Sequence, residues 1–420
     1  DVYKRQLVVS VFAQQPFVQS VDLLTAKPGD QIKFYGINFG TNAANIRVSF
    51  GGVDATPTAI TDQYMEVDLP VGATYDFPQV TNTSIGLSGL YAIPVLPSYG
   101  GTFPFQESKL GAQQDFNSES GLYELVTADF DGDGLLDVAT ANSNANLISL
   151  FRNTTVAGAA FTFSKTQFAT AVHTQHLVAG DLNGDGKHDI VLSEENSPKL
   201  YILKNTSTPG NISFTMTNIT LLTSKANQIR IADLDLDGKP DLITTDQSTG
   251  RVLINKNTST LATISMAAVQ AVTLPTAAGT DGIAVGDLNG DALPDIAVGE
   301  FLSANSNLFI LKNASVPGTI SFPTTQTISI GSTISSVVMG DLDLDGKLDL
   351  ALSLLLSSNV AVLGNTSTSG TIQFDPAHLF SAGVKPWGLE IGDIDGDGKP
   401  DLAAASITQK SLSVLNNNSS

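Results

Sequence analysis

The sequence predicts an all-β chain, a small N-terminal β-sandwich followed by a β-propeller of six visible four-stranded blades, and three observations carry that expectation. An Asp-rich nonapeptide recurs six times at near-constant spacing. Each copy sits in about 50 residues holding four short apolar segments, the content of one propeller blade. Upstream of the first copy, short alternating apolar segments broken by Pro and Gly replace any 3.6-residue periodicity.

A chain of 420 residues exceeds what one hydrophobic core serves, so several domains or a repeat array are required. The formal net charge of -20 comes from 41 acidic against 21 basic residues, which disfavours nucleic acid and anionic membrane surfaces as partners. Cations are the natural counterpart, because 22 Asp fall in the six short loops. Six divalent ions would bring -20 to -8, ordinary for a soluble protein. Cysteine is absent, which removes disulfides and thiolate metal sites. No apolar run reaches the ~18 residues that span a bilayer.

The first residues, 1–14, stand apart. Asp1 to Gln6 reads as the translation of a sequencing adapter rather than as a basic n-region carrying Lys4 and Arg5. Leu7 to Ala13 reads as the tail of a signal-peptide apolar region, so an exported, extracellular protein is expected. The chain is expected to be a fragment that continues beyond Ser420, with surface attachment through that region an option.

Residues 15–100 form the expected sandwich. Lys27-Pro28-Gly29-Asp30 is a turn, Gln31 to Tyr35 a strand, Gly36 to Gly40 a second turn, and Ile46 to Phe50 a strand ending at Gly51-Gly52. This pattern resembles the IPT/TIG family of immunoglobulin-like domains. The resemblance implies a spacer or protein-contact module, and no ligand is assigned to it.

Residues 101–420 carry the repeat. Asp-x-(Asp/Asn)-x-Asp-Gly-x-x-Asp begins at Asp129, Asp181, Asp233, Asp341 and Asp393, and at Asp287 with Ala292 in place of Gly. One strand precedes each loop (Leu125 to Ala128, Ile283 to Gly286) and one follows directly (Asp137 to Thr140, Asp349 to Leu352). A third is typified by Leu147 to Phe151 and Leu308 to Leu311, and a fourth by Phe161-Thr162-Phe163, Ile320-Ser321-Phe322 and Ile372-Gln373-Phe374. Between them stands Asn-x-(Ser/Thr) at Asn153, Asn205, Asn257, Asn313 and Asn365, a formal glycosylation sequon whose blade periodicity favours a turn. The last copy lacks a fourth strand, and Phe103-Pro104-Phe105 is an unpaired copy of it that could close a ring of six. A ring of seven in an intact protein would serve as well.

Calcium takes 6 to 8 oxygen ligands, and loop positions 1, 3, 5, 7 (by its carbonyl) and 9 offer them here. In the first loop these are Asp129, Asp131, Asp133, the carbonyl of Leu135, and Asp137, with Gly134 allowing the sharp turn. The second offers Asp181, Asn183, Asp185, Lys187 and Asp189, and the third Asp233, Asp235, Asp237, Lys239 and Asp241. The fourth offers Asp287, Asn289, Asp291, Leu293 and Asp295, and the fifth Asp341, Asp343, Asp345, Lys347 and Asp349. The sixth offers Asp393, Asp395, Asp397, Lys399 and Asp401. EF-hand and dockerin readings fail, because Asp arrives at position 9 and a strand follows at once. Thrombospondin-type repeats are Cys-rich. About six calcium ions in a structural role are expected, with the Asp287 loop the weakest, since Asn289 removes a carboxylate and Ala292 stands where Gly is wanted. Motif, period and strand count together resemble the FG-GAP/VCBS repeat family, which includes the propeller of integrin α subunits, over residues 103–420.

Six residues before each loop, the innermost strands carry Tyr123, Gln175 (then His176), Asn227, Asp281, Ser335 and Trp387, at the end opposite the loops. Such a ring of polar and aromatic groups suits a carbohydrate or a peptide. The resemblance to integrin-like and lectin-like propellers implies a non-enzymatic binding module for a polysaccharide or a surface protein. A non-catalytic part of a larger extracellular enzyme and a pure scaffold are the alternatives. Four histidines (His173, His176, His188, His378), no cysteine and no nucleophile motif speak against a catalytic site.

Overall fold

The computed structural model describes residues 15–90, 94–98, 114–156, 159–170, 172–194, 197–220, 226–246, 248–275, 279–301, 306–395 and 397–419. The Leu7 to Ala13 segment and Phe103-Pro104-Phe105 lie outside the described residues.

The N-terminal unit is a two-sheet sandwich. One sheet has the order Phe17–Val21, Gln31–Ile37, Tyr64–Asp68, Ala59–Thr61; the other runs Val53–Ala55, Ile46–Phe50, Gln79–Asn82, Leu87–Leu90. Alternation along Gln31–Ile37 and Ile46–Phe50 turns Ile32, Phe34, Ile46, Val48 and Phe50 into one core, where Phe34 and Phe50 meet edge to face at 6.1 Å. The first of these strands runs on to Ile37, so the expected turn at Gly36 starts later. Asn38 and Gly40 hold its left-handed positions and Phe39 is buried.

The rest is a β-propeller, with six antiparallel sheets among the described residues, five of four strands and the last of three. Blade 2 is representative: Thr174–Gly180, Asp189–Glu194, Lys199–Asn205, Phe214–Thr220, from the axis outward. The innermost strands, Leu122–Ala128, Thr174–Gly180, Ala226–Ala232, Thr280–Gly286, Ile334–Gly340 and Pro386–Gly392, lie side by side in blade order. The two-residue period of a strand explains how blades bind: in blade 2, Ile190 and Leu192 pack on blade 1 while Val191 packs on blade 3. Five apolar layers of this kind join blades 1 to 6. On the outer flanks, Leu122 and Leu125 of blade 1 and Leu412 of blade 6 are exposed.

The fourth strands differ from expectation. They are Phe163–Ala169, Thr324–Ser329 and His378–Ser381 in blades 1, 4 and 5, so the Phe161, Ile320 and Ile372 triplets precede rather than form them, Phe163 excepted. Those triplets fold back on the Asn-x-(Ser/Thr) turn, as Ala314 N donates to Ser321 O and Thr366 N to Gln373 O. A small hairpin there takes residues that sequence pattern alone assigns to the outer strand.

Candidate metal centres and the opposite rim

Each loop wraps around the carboxylate at its first position. Asp129 accepts hydrogen bonds from Gly132 N, Asp133 N and Gly134 N at 2.8, 3.1 and 2.8 Å, and Asp181 and Asp287 repeat the pattern. The fifth position caps the seventh, as Asp133 Oδ1 accepts from Leu135 N at 3.0 Å. The ninth-position Asp is buried in all six loops and ties the loop to the blade: Asp241 accepts from Leu234 N at 3.0 Å and from Asn257 N at 2.8 Å.

In four loops the carboxylates at positions 1, 3 and 9 bring ligand atoms within 4.8 Å of one another: Asp129, Asp131 and Asp137; Asp233, Asp235 and Asp241; Asp341, Asp343 and Asp349; Asp393, Asp395 and Asp401. Several buried Asp clusters could thus hold metal ions. The other two loops have Asn183 and Asn289 at position 3. Burial raises these acids, against the pull of their backbone N–H partners: Asp137, Asp241 and Asp295 to about 7, Asp181 and Asp349 to about 6. A divalent cation fits this donor set, because four buried loop oxygens, Asn183 Oδ1, Asp235 Oδ1, Asn289 Oδ1 and Asp341 Oδ1, have no hydrogen-bond donor.

Two features escape sequence reasoning. Arg152 pairs with Asp131 and, at 2.7 Å, with Asp133; Lys256 pairs with Asp235 and, at 2.6 Å, with Asp237. The corresponding Lys204 and Lys312 reach carbonyls of the next blade instead, and blades 5 and 6 carry Gly364 and Asn416. The signal was the residue just before each sequon Asn. Strain is also spread more widely than the sequence suggests: Ala292 is left-handed at φ 71°, but so are Leu236 and Leu344 at the fourth position of loops 3 and 5. Ala292→Gly relieves one such site, and thermal denaturation is expected to show a gain of up to about 1 kcal/mol.

The sequon asparagines are stitches between blades. Asn205 Nδ2 donates to His188 O in its own blade and Phe130 O in the preceding one, both at 2.9 Å. Asn257, Asn313, Asn365 and Asn417 repeat this, while among the described residues Asn153 Nδ2 reaches only Leu136 O of its own blade. Buried amides with these bonds favour the turn reading over glycosylation.

The sandwich lies over the loop end of the propeller. Asp129 N donates to Gly52 O at 3.0 Å, Ser88 N to Gly238 O at 2.9 Å, Gln15 Nε2 to Asp233 Oδ2 at 3.2 Å, and Asp341 N to Tyr75 Oη at 3.0 Å. Ser49 Oγ lies 3.4 Å from His188 Nε2. Gly184 approaches Gly86 so closely that a Cβ there would lie 2.5 Å from its backbone. Between the two units a chamber of about 410 Å³ is lined by Asp76 and Phe77 on one side and Val178, Ile231 and Val285 on the other.

At the opposite rim, each innermost strand carries a β-bulge, and all six bulges fall on the ring positions Tyr123, Gln175–His176, Asn227, Asp281, Ser335 and Trp387. The bulge re-aims these side chains. Tyr123 is exposed, and Gln175 and Trp387 are half-buried. His176, Asn227, Asp281 and Ser335 are buried, and they join blades: His176 Nδ1 meets Glu124 Oε2 at 3.2 Å, His176 Nε2 meets Asn227 Oδ1 at 3.1 Å, and Asn227 Nδ2 donates to Asp281 Oδ1 at 2.8 Å. Ser335 Oγ donates to Pro386 O at 3.0 Å. Burial raises Asp281 to about 6, with His176 opposing. Tyr123 stands edge to face with His176 at 5.3 Å, and Trp387 with Phe301 at 5.5 Å.

A family model described as FG-GAP-like repeat matches residues 129–192, 181–244 and 233–298, and one for the IPT/TIG domain matches residues 16–103. The chain carries FG-GAP-like repeats behind an IPT/TIG domain. The loops at Asp341 and Asp393 extend the same FG-GAP grammar into blades 5 and 6. A search among curated proteins finds no match. Among solved structures, the chain is similar to an auxiliary nutrient binding protein from Bacteroides ovatus, at 12% identity over 96% of this chain and 98% of that one, with a TM-score of 0.39. It is also similar to an Agrocybe aegerita lectin that recognises non-reducing terminal N-acetylglucosamine (15%, 97% and 95%, TM-score 0.47). A putative 6-phosphogluconolactonase from Bacteroides fragilis is another (13%, 89% and 92%, TM-score 0.49).

Proposed function

We propose that the chain is an exported binding module, a propeller held by about six structural calcium ions, that recognises a saccharide or a peptide of a surface partner at the rim opposite the loops. The observation that carries the reading is the division of the two ends. The IPT/TIG domain covers the loop end, so the rim bearing Tyr123 and Trp387 is the end left to meet a ligand. Aromatic faces beside polar groups suit a sugar ring or a peptide, and loops and bulges that vary between blades can specify it. Within the ring, Tyr123, Gln175 and Trp387 are the contact candidates, while His176, Asn227, Asp281 and Ser335 hold the blades that present them.

Calcium's contribution is charge neutralisation and cross-linking of each loop through hard oxygen donors. The orphaned loop oxygens and the three-carboxylate clusters support it. Charge and competition rank the loops. Those at Asp341 and Asp393 have four Asp each, with Gly364 and Asn416 at the site of the intruding cation. Their competitors are an exposed pair, Lys347 with Asp345 at 2.8 Å, and a neutral amide, Asn416 Nδ2 on Asp395 Oδ2 at 2.7 Å, so they are expected to bind most tightly. The Asp129 and Asp233 loops must first displace Arg152 and Lys256. Export rests on the Leu7 to Ala13 segment, and no described helix is long and apolar enough to cross a membrane.

Glycan-array and peptide-array binding tests the rim. Tyr123→Ala and Trp387→Ala are each expected to lower binding at least tenfold with the calcium-dependent melt unchanged. Retained binding in both variants would move the site away from the rim.

A further inference from the structure

We propose that ion occupancy of the FG-GAP loops is what docks the IPT/TIG domain, so that the domain is the loops' intramolecular partner and acts as a metal-dependent cap on that end of the propeller. The proposal rests on the calcium reading and adds to it a partner for the loops.

The docking contacts fall on the loop positions that an ion would organise. Asp129 N and Asp341 N belong to first-position residues, Gly238 O to a sixth-position turn glycine, and Asp233 Oδ2 to a first-position ligand. These hydrogen bonds engage loops 1, 3 and 5, each of which carries four Asp. A backbone N–H held within one wrapped turn keeps its direction only while the turn is wrapped, and a turn of unneutralised carboxylates repels itself. Loop 2 meets the domain by close packing of Gly184 on Gly86, a contact with no tolerance for a shifted turn. Phe77 packs with the apolar layer of blades 4 and 5.

Charge points the same way. Most side chains that the domain sets against the acidic loops, Gln15, Ser49, Tyr75, Asp76 and Phe77 among them, are neutral or acidic; the exception, Arg47, lays its stem beside Gly186 of loop 2. Arg47 is turned onto carbonyls of its own domain, Ile46 O at 3.1 Å and Ala44 O at 3.4 Å. Asp76 lines the chamber between the two units, as do Asp233 and Asp287. Among the described residues no cation of the domain pairs with a loop carboxylate, so the domain leaves most of that charge for divalent ions to neutralise. By linkage, docking must then tighten the same ions by the factor through which the ions tighten docking.

The absence of cysteine allows a direct test on the full chain. Ala59 and Ser357 are exposed, one on each unit, and Ala59→Cys with Ser357→Cys carries a fluorophore pair that reads their separation. Energy transfer is followed during a calcium titration, with calorimetry on the same sample. Transfer is expected to rise in step with ion uptake and fall on chelation. Tyr75→Ala with Phe77→Ala removes two docking anchors outside the sandwich core and replaces no loop ligand; because Tyr75 Oη accepts from Asp341 N in loop 5, the effect is read at loops 1 and 3. This variant is expected to keep low transfer throughout and to bind calcium about tenfold more weakly at those two loops. Calcium uptake with unchanged transfer, or unchanged affinity in the variant, overturns the cap while leaving the calcium reading intact. No calcium uptake at all overturns the calcium reading and the cap with it.

Discussion

Chelation of divalent cations near pH 7.5 is expected to lower the melting temperature by about 10 °C or more. A site filled at a hundredfold excess over its Kd contributes about 2.7 kcal/mol, and a few such sites exceed what shifts a domain of this size by that amount. The sign of the pH dependence follows from the buried acids. Asp137, Asp241 and Asp295 are raised to about 7 and Asp181 and Asp349 to about 6 by burial, well above the unfolded value of 3.8. Between about pH 4 and 7 the folded metal-free chain holds more protons than the unfolded one, so its stability falls as pH rises through that window. Ion binding displaces those protons and removes the deficit. The chelator-induced shift is therefore large near pH 7.5 and small near pH 5, where protons already do part of the neutralising. Differential scanning calorimetry with and without chelator at both pH values measures it. An equal melt in all four conditions would mean that the loops are self-sufficient hydrogen-bonded turns.

What the sequence made legible was local or periodic. The nonapeptide spaced at 52 or 54 residues marks six blades because each loop supplies its own turn and each following strand starts at the ninth-position Asp. The two-sheet sandwich followed from turns at Lys27-Pro28-Gly29-Asp30 and Gly51-Gly52 bracketing alternating strands. Less legible was everything whose partner lies far along the chain. Counting six residues back from each loop finds the bulges, yet nothing local says that His176 and Asn227 spend their polar atoms on each other across a blade boundary. Arg152 and Lys256 look like solvated basic residues until the fold turns them onto carboxylates 19 to 21 residues earlier. The docking of the IPT/TIG domain depends on surface shape at Gly86 and Gly184, which no periodicity encodes.

Asn257→Ala is expected to destabilise the chain by about 3 kcal/mol, the largest effect of a single substitution outside the loops. Its side chain is 1% exposed. Asn257 Nδ2 donates to Leu182 O and Pro240 O, and Oδ1 accepts from Ser259 N, all at 2.8 Å. Alanine leaves two buried carbonyls and one buried N–H without partners, and each orphan costs about 1 to 3 kcal/mol before relaxation or water recovers part of it. The loss is not confined to one turn. Leu182 is the second residue of the blade 2 loop, whose own N–H is held by Asp189, and Pro240 precedes the ninth-position Asp241 of the blade 3 loop. Releasing the stitch thus loosens two loops, and calcium uptake at both should weaken together. Asn153 provides the control, because among the described residues its Nδ2 reaches only Leu136 O, at 3.0 Å within its own blade. Asn153→Ala should cost well under half as much. Denaturant titration of both variants reads the difference, and equal losses would show that the asparagines serve only their local turns and do not join the blades.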